Sequence, residues 1–371
     1  MSFLEIALLA LAGLLILALL ANAVLLWLGS RLVTDAVPDE VYKVACEDGW
    51  VIELARYKGT RKDLPPVVLA HGIGANATSL DLDEEVSLPR FLRARGFDCW
   101  LLDLRGRGGS AKPPAGRGPY DYDFEDHARH DARAAIDLVR RETGASKVAW
   151  VGHSMGGMTA YGYAEIHGDD ALQAVVVCGS PVDWSSRPIL APVAGLARLQ
   201  RLPALYYVLA ARIASPLAGY YNPFIARLII NAENVTPRVM RVGLARGLAN
   251  IARRPLHQLA HWIRTGELQG KDGRVFFREL GKITVPWFAI GGAADHLVPP
   301  ENVRIALDRL GSREKRWLLA GKESGHAHDY GHIDLLLGSR CREEIYTPIA
   351  EFLEGVKCSP AEAPTAALGR A

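Results

Sequence analysis

Apolar and polar positions change their spacing several times along the chain, and most of these changes predict a sheet flanked by helices. Residues 41–57 alternate as two strands around the turn Glu47-Asp48-Gly49, which predicts an antiparallel hairpin. Short apolar runs predict core strands at residues 67–70, 97–103, 147–152, 174–179, 287–291 and 316–320, with helical patterns between them at 124–142 and 155–167. This alternation predicts an α/β fold with a doubly wound, mostly parallel sheet, whose ligand chemistry lies at the carboxyl ends of its strands.

The alternation of strands and helices stops between Asp183 and Thr284. This stretch is aliphatic and helix-rich, and a structureless loop of about a hundred residues is not expected in a compact domain, so we predict a helical cap. The predicted organisation is an N-terminal membrane anchor at 1–30, a first part of the core at 40–183, the cap insertion at 184–284, a second part of the core at 285–355 and a disordered tail at 356–371. Two apolar cap runs, 205–209 and 224–230, either line an acyl-binding pocket or pack the cap onto the core, and packing is the commoner use of such residues.

The first thirty residues are predicted to form a transmembrane helix. Residues 6–28 are 23 residues long with Asn22 as their only strongly polar member, and as a helix they would span roughly 34 Å. A cleaved signal peptide is the competing interpretation, because Ala21-Asn22-Ala23 resembles a small-x-small cleavage site. Against cleavage, no Lys or Arg precedes the apolar run, Glu5 does, and the run continues past Ala23. The nearest positive charges follow the helix, which predicts that the folded domain lies on the cytoplasmic side.

Composition narrows the function classes. The formal net charge is +2 with 23% charged residues, so the chain has no extended basic field for nucleic acid. Five cysteines, widely spaced and without a C-x-x-C motif, demand no oxidising compartment. Cys99 and Cys178 fall in predicted core strands, where they serve as small apolar residues.

The pentapeptide Gly152-His153-Ser154-Met155-Gly156 has the pattern G-x-S-x-G between a predicted strand and a predicted helix. A strand that turns at once into a helix forces its central residue to a positive φ and exposes the side chain, while the flanking glycines permit close backbone approach. The new helix N-terminus offers N–H groups to an oxyanion. Ser154 is therefore the predicted nucleophile, and the N–H of Met155 the predicted first oxyanion donor.

Two further features, an oxyanion loop and an acid, follow strands as a serine hydrolase requires. A loop after residues 67–70 begins His71-Gly72, and its Ile73 N–H is the predicted second oxyanion donor. Asp295 follows the strand at 287–291, where a histidine-orienting acid is expected. Asp183 is a minor alternative acid that we expect instead to cap the first cap helix.

Three histidines compete for the role of general base: His326, His328 and His332. Loop length alone slightly favours His326, which follows the last predicted strand more closely. Gly331 leaves space beside His332, however, and the apolar run 333–337 predicts a helix that would hold it rigidly. We therefore predict His332, with His326 as the first alternative.

From about residue 41 to 353 the chain resembles an α/β-hydrolase, and two segments resemble its acid-lipase and polyhydroxyalkanoate-synthase-related branch. These segments are DCWLLDLRGRGGS at 98–110 and YGHIDLLLG at 330–338. The second resembles the segment that carries the catalytic histidine in those families, which also implies His332, with Asp334 in the expected place. The synthases have cysteine at the elbow, so Ser154 favours hydrolysis over polymer synthesis. Dehalogenases and epoxide hydrolases of this fold need an aspartate there and are excluded.

The expected function is thus a lipase- or esterase-like serine hydrolase that acts on a hydrophobic or lipid-like carboxylic ester, with Ser154, Asp295 and His332 as its triad and with no cofactor or metal. A membrane contacted through the N-terminal helix is the expected partner, with no nucleic acid. Two other classes remain open. One is a non-catalytic, membrane-tethered binding protein, and the other is a metallohydrolase using His326, His328 and His332. The position of Asp329, directly beside His328, disfavours a shared metal.

Overall fold

A computed structural model describes residues 3–186, 188–189, 191–220 and 227–356 of the chain. The predicted disordered tail from Lys357 onward, and residues 224–226 of the second apolar cap run, lie outside the described residues.

Among the described residues, eight strands form one mixed sheet, which confirms the predicted α/β class. The strands of the chain are β1 (Glu40–Ala45), β2 (Val51–Tyr57), β3 (Val67–Ala70), β4 (Cys99–Asp103), β5 (Val148–His153), β6 (Leu172–Cys178), β7 (Ala204–Leu205), β8 (Ile251–Ala252), β9 (Trp287–Gly292) and β10 (Lys315–Ala320). The sheet has the order β1-β2-β4-β3-β5-β6-β9-β10. Neighbours from β4 to β10 are parallel, whereas β1 and β2 form the predicted antiparallel hairpin and β2 runs antiparallel to β4.

The described helices pack on the two faces of this sheet, lie in the insertion between β6 and β9, or precede β1 at the N-terminus. They are α1 (Phe3–Ser30), α2 (Leu88–Ala94), α3 (Phe124–Asp126), α4 (Ala132–Thr143), α5 (Met155–His167), α6 (Ala191–Ala194), α7 (Val208–Ala214), α8 (Pro237–Val242), α9 (Arg253–Thr265), α10 (Pro300–Arg309), α11 (Asp334–Leu337) and α12 (Thr347–Gly355). Alternate residues of the central strands point to two separate apolar clusters, so that Trp150 and Val177 face one and Val151 and Val176 the other. The predicted helix at 124–142 is interrupted by a π-helical turn, His127–Asp131.

The insertion between β6 and β9, residues 184–284, is called the cap here. It contains α6 to α9 with several short 3₁₀ turns, as its helical pattern predicts. It also contains an antiparallel pair, β7 with β8, that the sequence analysis did not predict. Two residues per strand are too few to show a periodic pattern, and the pairing joins segments almost fifty residues apart.

Within the described part of the chain, α1 is the helix that is long and apolar enough to cross a membrane. The best window of its stretch Leu11–Ser30 has a mean hydropathy of 2.5, and no residue of that window is buried inside the protein. Its last turn packs against α7 of the cap, where Gly29 is buried. The length and composition of α1 suit a span of the bilayer.

Candidate active site

Ser154 lies at the turn between β5 and α5 with φ +52°, a conformation that L residues rarely adopt. Its flanking glycines are required by close backbone contacts. A Cβ on Gly152 would collide with the backbone nitrogen of Gly157, and one on Gly156 with the carbonyl of Ala70. The Ser154 hydroxyl makes no capping hydrogen bond to α5, and the residue lines a cavity. The turn therefore presents the hydroxyl to the space above the sheet.

Two backbone N–H groups near Ser154 donate no hydrogen bond to any described residue. Met155 is the first residue of α5, and Ile73 lies in the loop after β3. Neither nitrogen donates a hydrogen bond in the described part of the chain. Both residues line the same cavity as Ser154. Unpaired amide donors beside a nucleophile are what an oxyanion site requires.

His332 and Asp295 form a buried pair at the carboxyl edge of the sheet. His332 Nδ1 lies 2.7 Å from Asp295 Oδ2. The other carboxylate oxygen of Asp295 accepts hydrogen bonds from the Leu297 and Val298 N–H groups at 3.0 and 2.7 Å. With both carboxylate oxygens occupied, Asp295 is oriented to accept the Nδ1 proton of His332 and to leave Nε2 free as an acceptor.

His332 contacts His153, the residue directly before Ser154. His153 Nε2 donates to the His332 carbonyl at 2.9 Å, and the two imidazole rings are 4.8 Å apart. The hydrogen bonds of the described residues do not include one between Ser154 and His332. The His332–Asp295 pair and Ser154 therefore lie at one edge of the sheet, but Ser154 and His332 are not hydrogen-bonded to each other.

The competing residues are engaged elsewhere. His326 Nδ1 contacts the Gly321 backbone at 3.0 Å in the loop after β10, and no contact with Asp295 is recorded for it or for His328 in the described chain. Asp183 accepts from the Ser185 N–H and from the Arg309 guanidinium. The expectation that Asp183 caps the first cap helix is wrong, because α6 begins only at Ala191.

Asp334, the first residue of α11, holds the segment that carries His332 in place. The buried Asp334 carboxylate accepts from Gly331 N and from Asn234 Nδ2, both at 3.0 Å, and from Asn231 N at 3.0 Å. Burial raises the pKa of Asp334 above its usual value. Because Asn231 and Asn234 belong to the cap, this carboxylate ties the histidine segment to the cap.

A buried polar relay supports the Ile73 loop from the core side. Arg107 donates to the Ile73 carbonyl at 2.9 Å and lies 3.3 Å from His127 Nε2. His127 Nδ1 in turn contacts Asp131 at 2.9 Å, inside the π-helical turn. Burial lowers the pKa of His127, and the positive charge of Arg107 lowers it further. Together they outweigh the hydrogen bond to Asp131, which raises it, and the pKa is about 4. Neutral His127 therefore donates from Nδ1 and accepts from Arg107 at Nε2.

His71 and His153 are buried neutral histidines with structural hydrogen bonds. His71 Nε2 accepts from Leu104 N at 3.2 Å, which leaves its proton on Nδ1 facing the Gly72 carbonyl at 2.9 Å. Burial lowers the pKa of His71 well below its usual value, and burial together with the charge of His332 lowers the pKa of His153 to about 3. Both shape the backbone around Ser154.

The histidines of the metallohydrolase alternative do not converge in the described residues. The carboxylate and imidazole atoms there that lie close enough to share an ion belong to Asp48, Asp126 and His130. Asp48 already binds the Arg105 and Arg117 guanidinium groups. Asp126 accepts from Lys271 at 2.8 Å. Protein cations thus occupy this acidic cluster.

An apolar cavity of about 390 Å³ begins at Ser154 and extends beneath the cap. Its walls are almost entirely apolar, and one side of α9 supplies Leu256, Leu259, Ala260 and Ile263. Of the two predicted apolar runs, the first contributes only Leu205 to the wall, and Ile230 of the second packs against the core. The spacing i, i+3, i+4, i+7 along α9 is the signal that would have identified this wall.

Comparisons with known proteins identify the fold. A family model described as the alpha/beta hydrolase fold matches residues 65–339. The gastric triacylglycerol lipase of Homo sapiens is 23% identical over 85% of this chain and 88% of its own length. A monoacylglycerol lipase from Paleococcus ferrophilus superposes with a TM-score of 0.55 at 21% identity, covering 82% of this chain and 98% of its own. A thermophilic esterase from Thermogutta terrifontis does so with a TM-score of 0.55 at 19% identity, covering 85% and 99%. The two solved structures share the fold.

Proposed function

Because the chain belongs to the α/β-hydrolase fold family, we propose that it hydrolyses carboxylic esters through an acyl-enzyme on Ser154. The observation that carries the proposal is the arrangement around this residue. A strained serine lies beside two unpaired backbone donors and near a buried histidine–carboxylate pair, at the mouth of an apolar cavity.

The proposed reaction transfers an acyl group to water in two steps. Ser154 Oγ attacks the ester carbonyl while His332 Nε2 takes its proton, and Asp295 holds the imidazolium through Nδ1. The oxyanion accepts hydrogen bonds from the Met155 and Ile73 N–H groups, where loss of such a donor typically costs about 3 kcal/mol of barrier stabilisation. His332 then protonates the leaving alkoxide. A water molecule, deprotonated by the same imidazole, releases the acid and restores Ser154.

The missing hydrogen bond between Ser154 and His332 fits a site that tightens when substrate binds. Catalytic hydrogen bonds are often long before substrate arrives, and a shift of either side chain suffices to close one. The rigid supports of His332, namely Asp295 on one side and the Asp334 segment on the other, favour movement at the serine side.

The proposed substrate is a hydrophobic or lipid-like ester. The cavity offers Gln200 as its only polar side chain besides Ser154 among the described lining residues, so it suits an aliphatic chain. The triacylglycerol and monoacylglycerol lipases named above act on esters of this class according to their names. We also propose that α1 anchors the protein in a membrane, with the domain that follows it on the cytoplasmic side.

The test is labelling and turnover in a Ser154→Ala variant. The full-length protein should react with a fluorophosphonate probe and hydrolyse p-nitrophenyl esters, and Ser154→Ala should lose both, with turnover falling by several orders of magnitude. Ser324→Ala, an exposed serine in the loop after β10, is the matched control and should behave like the unaltered protein. Full activity in a folded Ser154→Ala variant would refute the proposal, and no labelling of the unaltered protein would favour a non-catalytic binding protein.

A further inference from the structure

The loop that offers the Ile73 N–H is connected to the end of the membrane helix. This loop, residues 72–76, is called the oxyanion loop here. Arg107 holds it from the core side through the Ile73 carbonyl. Its other side contacts residues 246–249 and Tyr207 of the cap, both of which lead to α1.

The first connection runs through Arg246. Its guanidinium donates to the carbonyls of Ser30 and Leu32 at 2.7 and 2.8 Å, where α1 ends. The last turn of α1 has no basic residue of its own, so Arg246 supplies the cation that satisfies these carbonyls.

The backbone around Arg246 then pairs with the oxyanion loop. Asn76 Nδ2 donates to the Arg246 carbonyl at 2.8 Å, and Asn76 N to the Gly247 carbonyl at 3.1 Å. Ala249 N donates to the Gly74 carbonyl at 3.0 Å. A displacement of Arg246 is therefore transmitted to both ends of Gly74–Asn76.

The second connection runs through α7. Gly29 of α1 is buried so closely against this helix that an added Cβ would lie 2.9 Å from the Arg212 carbonyl oxygen and 3.0 Å from Ser215 Oγ. Tyr207, immediately before α7, donates its hydroxyl to the Gly74 carbonyl at 2.6 Å. The packing of α1 on the cap thus reaches the oxyanion loop by a second path, which ends on the same Gly74 carbonyl.

We propose that Arg246 is a positioning residue, and that the seating of α1 through Arg246 and Gly29 sets the position of the Ile73 N–H. This inference rests on the proposed function, since it assigns a task to the oxyanion donor. A displacement of about 1 Å in a donor that acts only on the developing charge lowers turnover without weakening substrate binding. The predicted signature is a loss in kcat with an unchanged KM.

The experiment uses the full-length chain in detergent micelles, with Arg246→Ala and Gly29→Leu as the test variants. Each should lower kcat on p-nitrophenyl butyrate about tenfold while KM stays within about twofold of the unaltered protein. An alkyl boronic acid forms a tetrahedral adduct on the serine, and its Ki should rise by a similar factor. Arg246→Lys, which keeps one donor to the helix end, should lie between Arg246→Ala and the unaltered protein.

Two matched controls separate seating from general effects. Gly13→Leu adds the same side chain to the same helix at a site with no atom within 4 Å of the new Cβ. Arg238→Ala removes an exposed arginine that pairs with Asp83 and not with the end of α1. Both should retain kcat and the boronate Ki.

Unchanged kcat and Ki in both test variants would overturn the inference, as would an equal loss in Gly13→Leu. A loss of kcat that only follows a loss of fluorophosphonate-reactive sites would indicate unfolding and would also overturn it. An unaltered protein that the boronate does not inhibit would overturn the proposed function itself, which is a different result from an unshifted Ki.

Discussion

His332 and His326 differ in their partners, and this difference supports His332 as the proposed general base. His332 contacts a buried carboxylate whose remaining oxygen accepts hydrogen bonds from two backbone donors, whereas His326 contacts the Gly321 backbone and the Tyr330 ring. A general base needs its other ring nitrogen held in one tautomer and its imidazolium form stabilised, and a buried carboxylate does both.

We therefore predict that His332→Ala lowers kcat on a soluble ester by at least about a thousandfold, because the serine loses its proton acceptor. His326→Ala is the control and should stay within about threefold, since it removes a half-buried loop contact. The measurement is steady-state kinetics on variants whose unfolding midpoints match the unaltered protein. Retained activity in His332→Ala with loss in His326→Ala would reverse the assignment.

The buried relay behind the oxyanion loop predicts a pH dependence of stability. His127 has a pKa of about 4 in the folded protein against 6.5 when exposed, so the unfolded chain binds the extra proton. Stability from this group is present above pH 6.5 and is lost as pH falls toward 4, by an amount on the order of 3 kcal/mol.

The measurement is the thermal unfolding midpoint between these two pH values, compared between the unaltered protein and His127→Gln. The glutamine keeps a donor and an acceptor but does not titrate, so its midpoint should fall less over the window. Identical pH slopes for the two proteins would show that His127 is not held neutral.

Single residues were predictable from the sequence where a local backbone rule isolates them. Ser154 is defined by the strand-to-helix turn, and Asp295 by its place after a strand. Arg107 and His127 carried no such signal, because their pairing depends on the π-helical turn and on a loop more than thirty residues away in the chain. Long-range polar contacts of this kind leave no periodic pattern.

Among the elements, α9 decides the shape of the cavity. Its inner side lines the wall and its outer side is polar, so a side chain added on the inner side would shorten the space beneath the cap. Ala260 is buried on that side, and His261 beside it is exposed.

Ala260→Phe should therefore lower kcat/KM for long-chain p-nitrophenyl esters by about tenfold or more. The value for the acetate ester should stay within about threefold, because only the longer acyl chains extend into the part of the cavity that the new ring fills. His261→Phe adds the same ring on the outer side and should change neither. A parallel loss on acetate and long-chain esters would mean that the ring disturbs the catalytic turn rather than the pocket.

Elements that are continuous apolar runs between clear breaks were predictable, whereas the smallest elements of the cap were not. The residues of α5 and β3 match their predicted bounds, since each is a continuous run with a defined stop. The pair β7–β8 and the small helices of the cap are stabilised by tertiary contacts over only a few residues. The apolar positions of such short elements fit residues that line a pocket and residues that pack the cap onto the core equally well. The sequence therefore left both interpretations of the two cap runs open.

At the scale of the whole molecule, one part of the sequence predicts the sheet and another predicts α1. Neither part predicts the contact between them. The central strands are buried on both sides, as near-continuous apolar runs imply. Helix α1 is apolar on every side, a pattern that predicts a membrane environment but no contact with the domain. Arg246 joins the two only because the cap brings residue 246 to the end of α1.

The last prediction concerns this anchor and its orientation. The full-length protein should stay in the membrane fraction after high-salt and alkaline washes, because insertion of a span such as Leu11–Ser30 is effectively irreversible. Removal of residues 1–30 should release the protein into solution, with kcat reduced to the level of Arg246→Ala because the carbonyl of Ser30 is gone. In sealed vesicles with the cytoplasmic face outward, added protease should digest the domain, since positive charges follow the helix and none precede it. A soluble protein that begins at Val24 would instead identify the segment as a cleaved signal peptide, and protection from protease would place the domain on the opposite side.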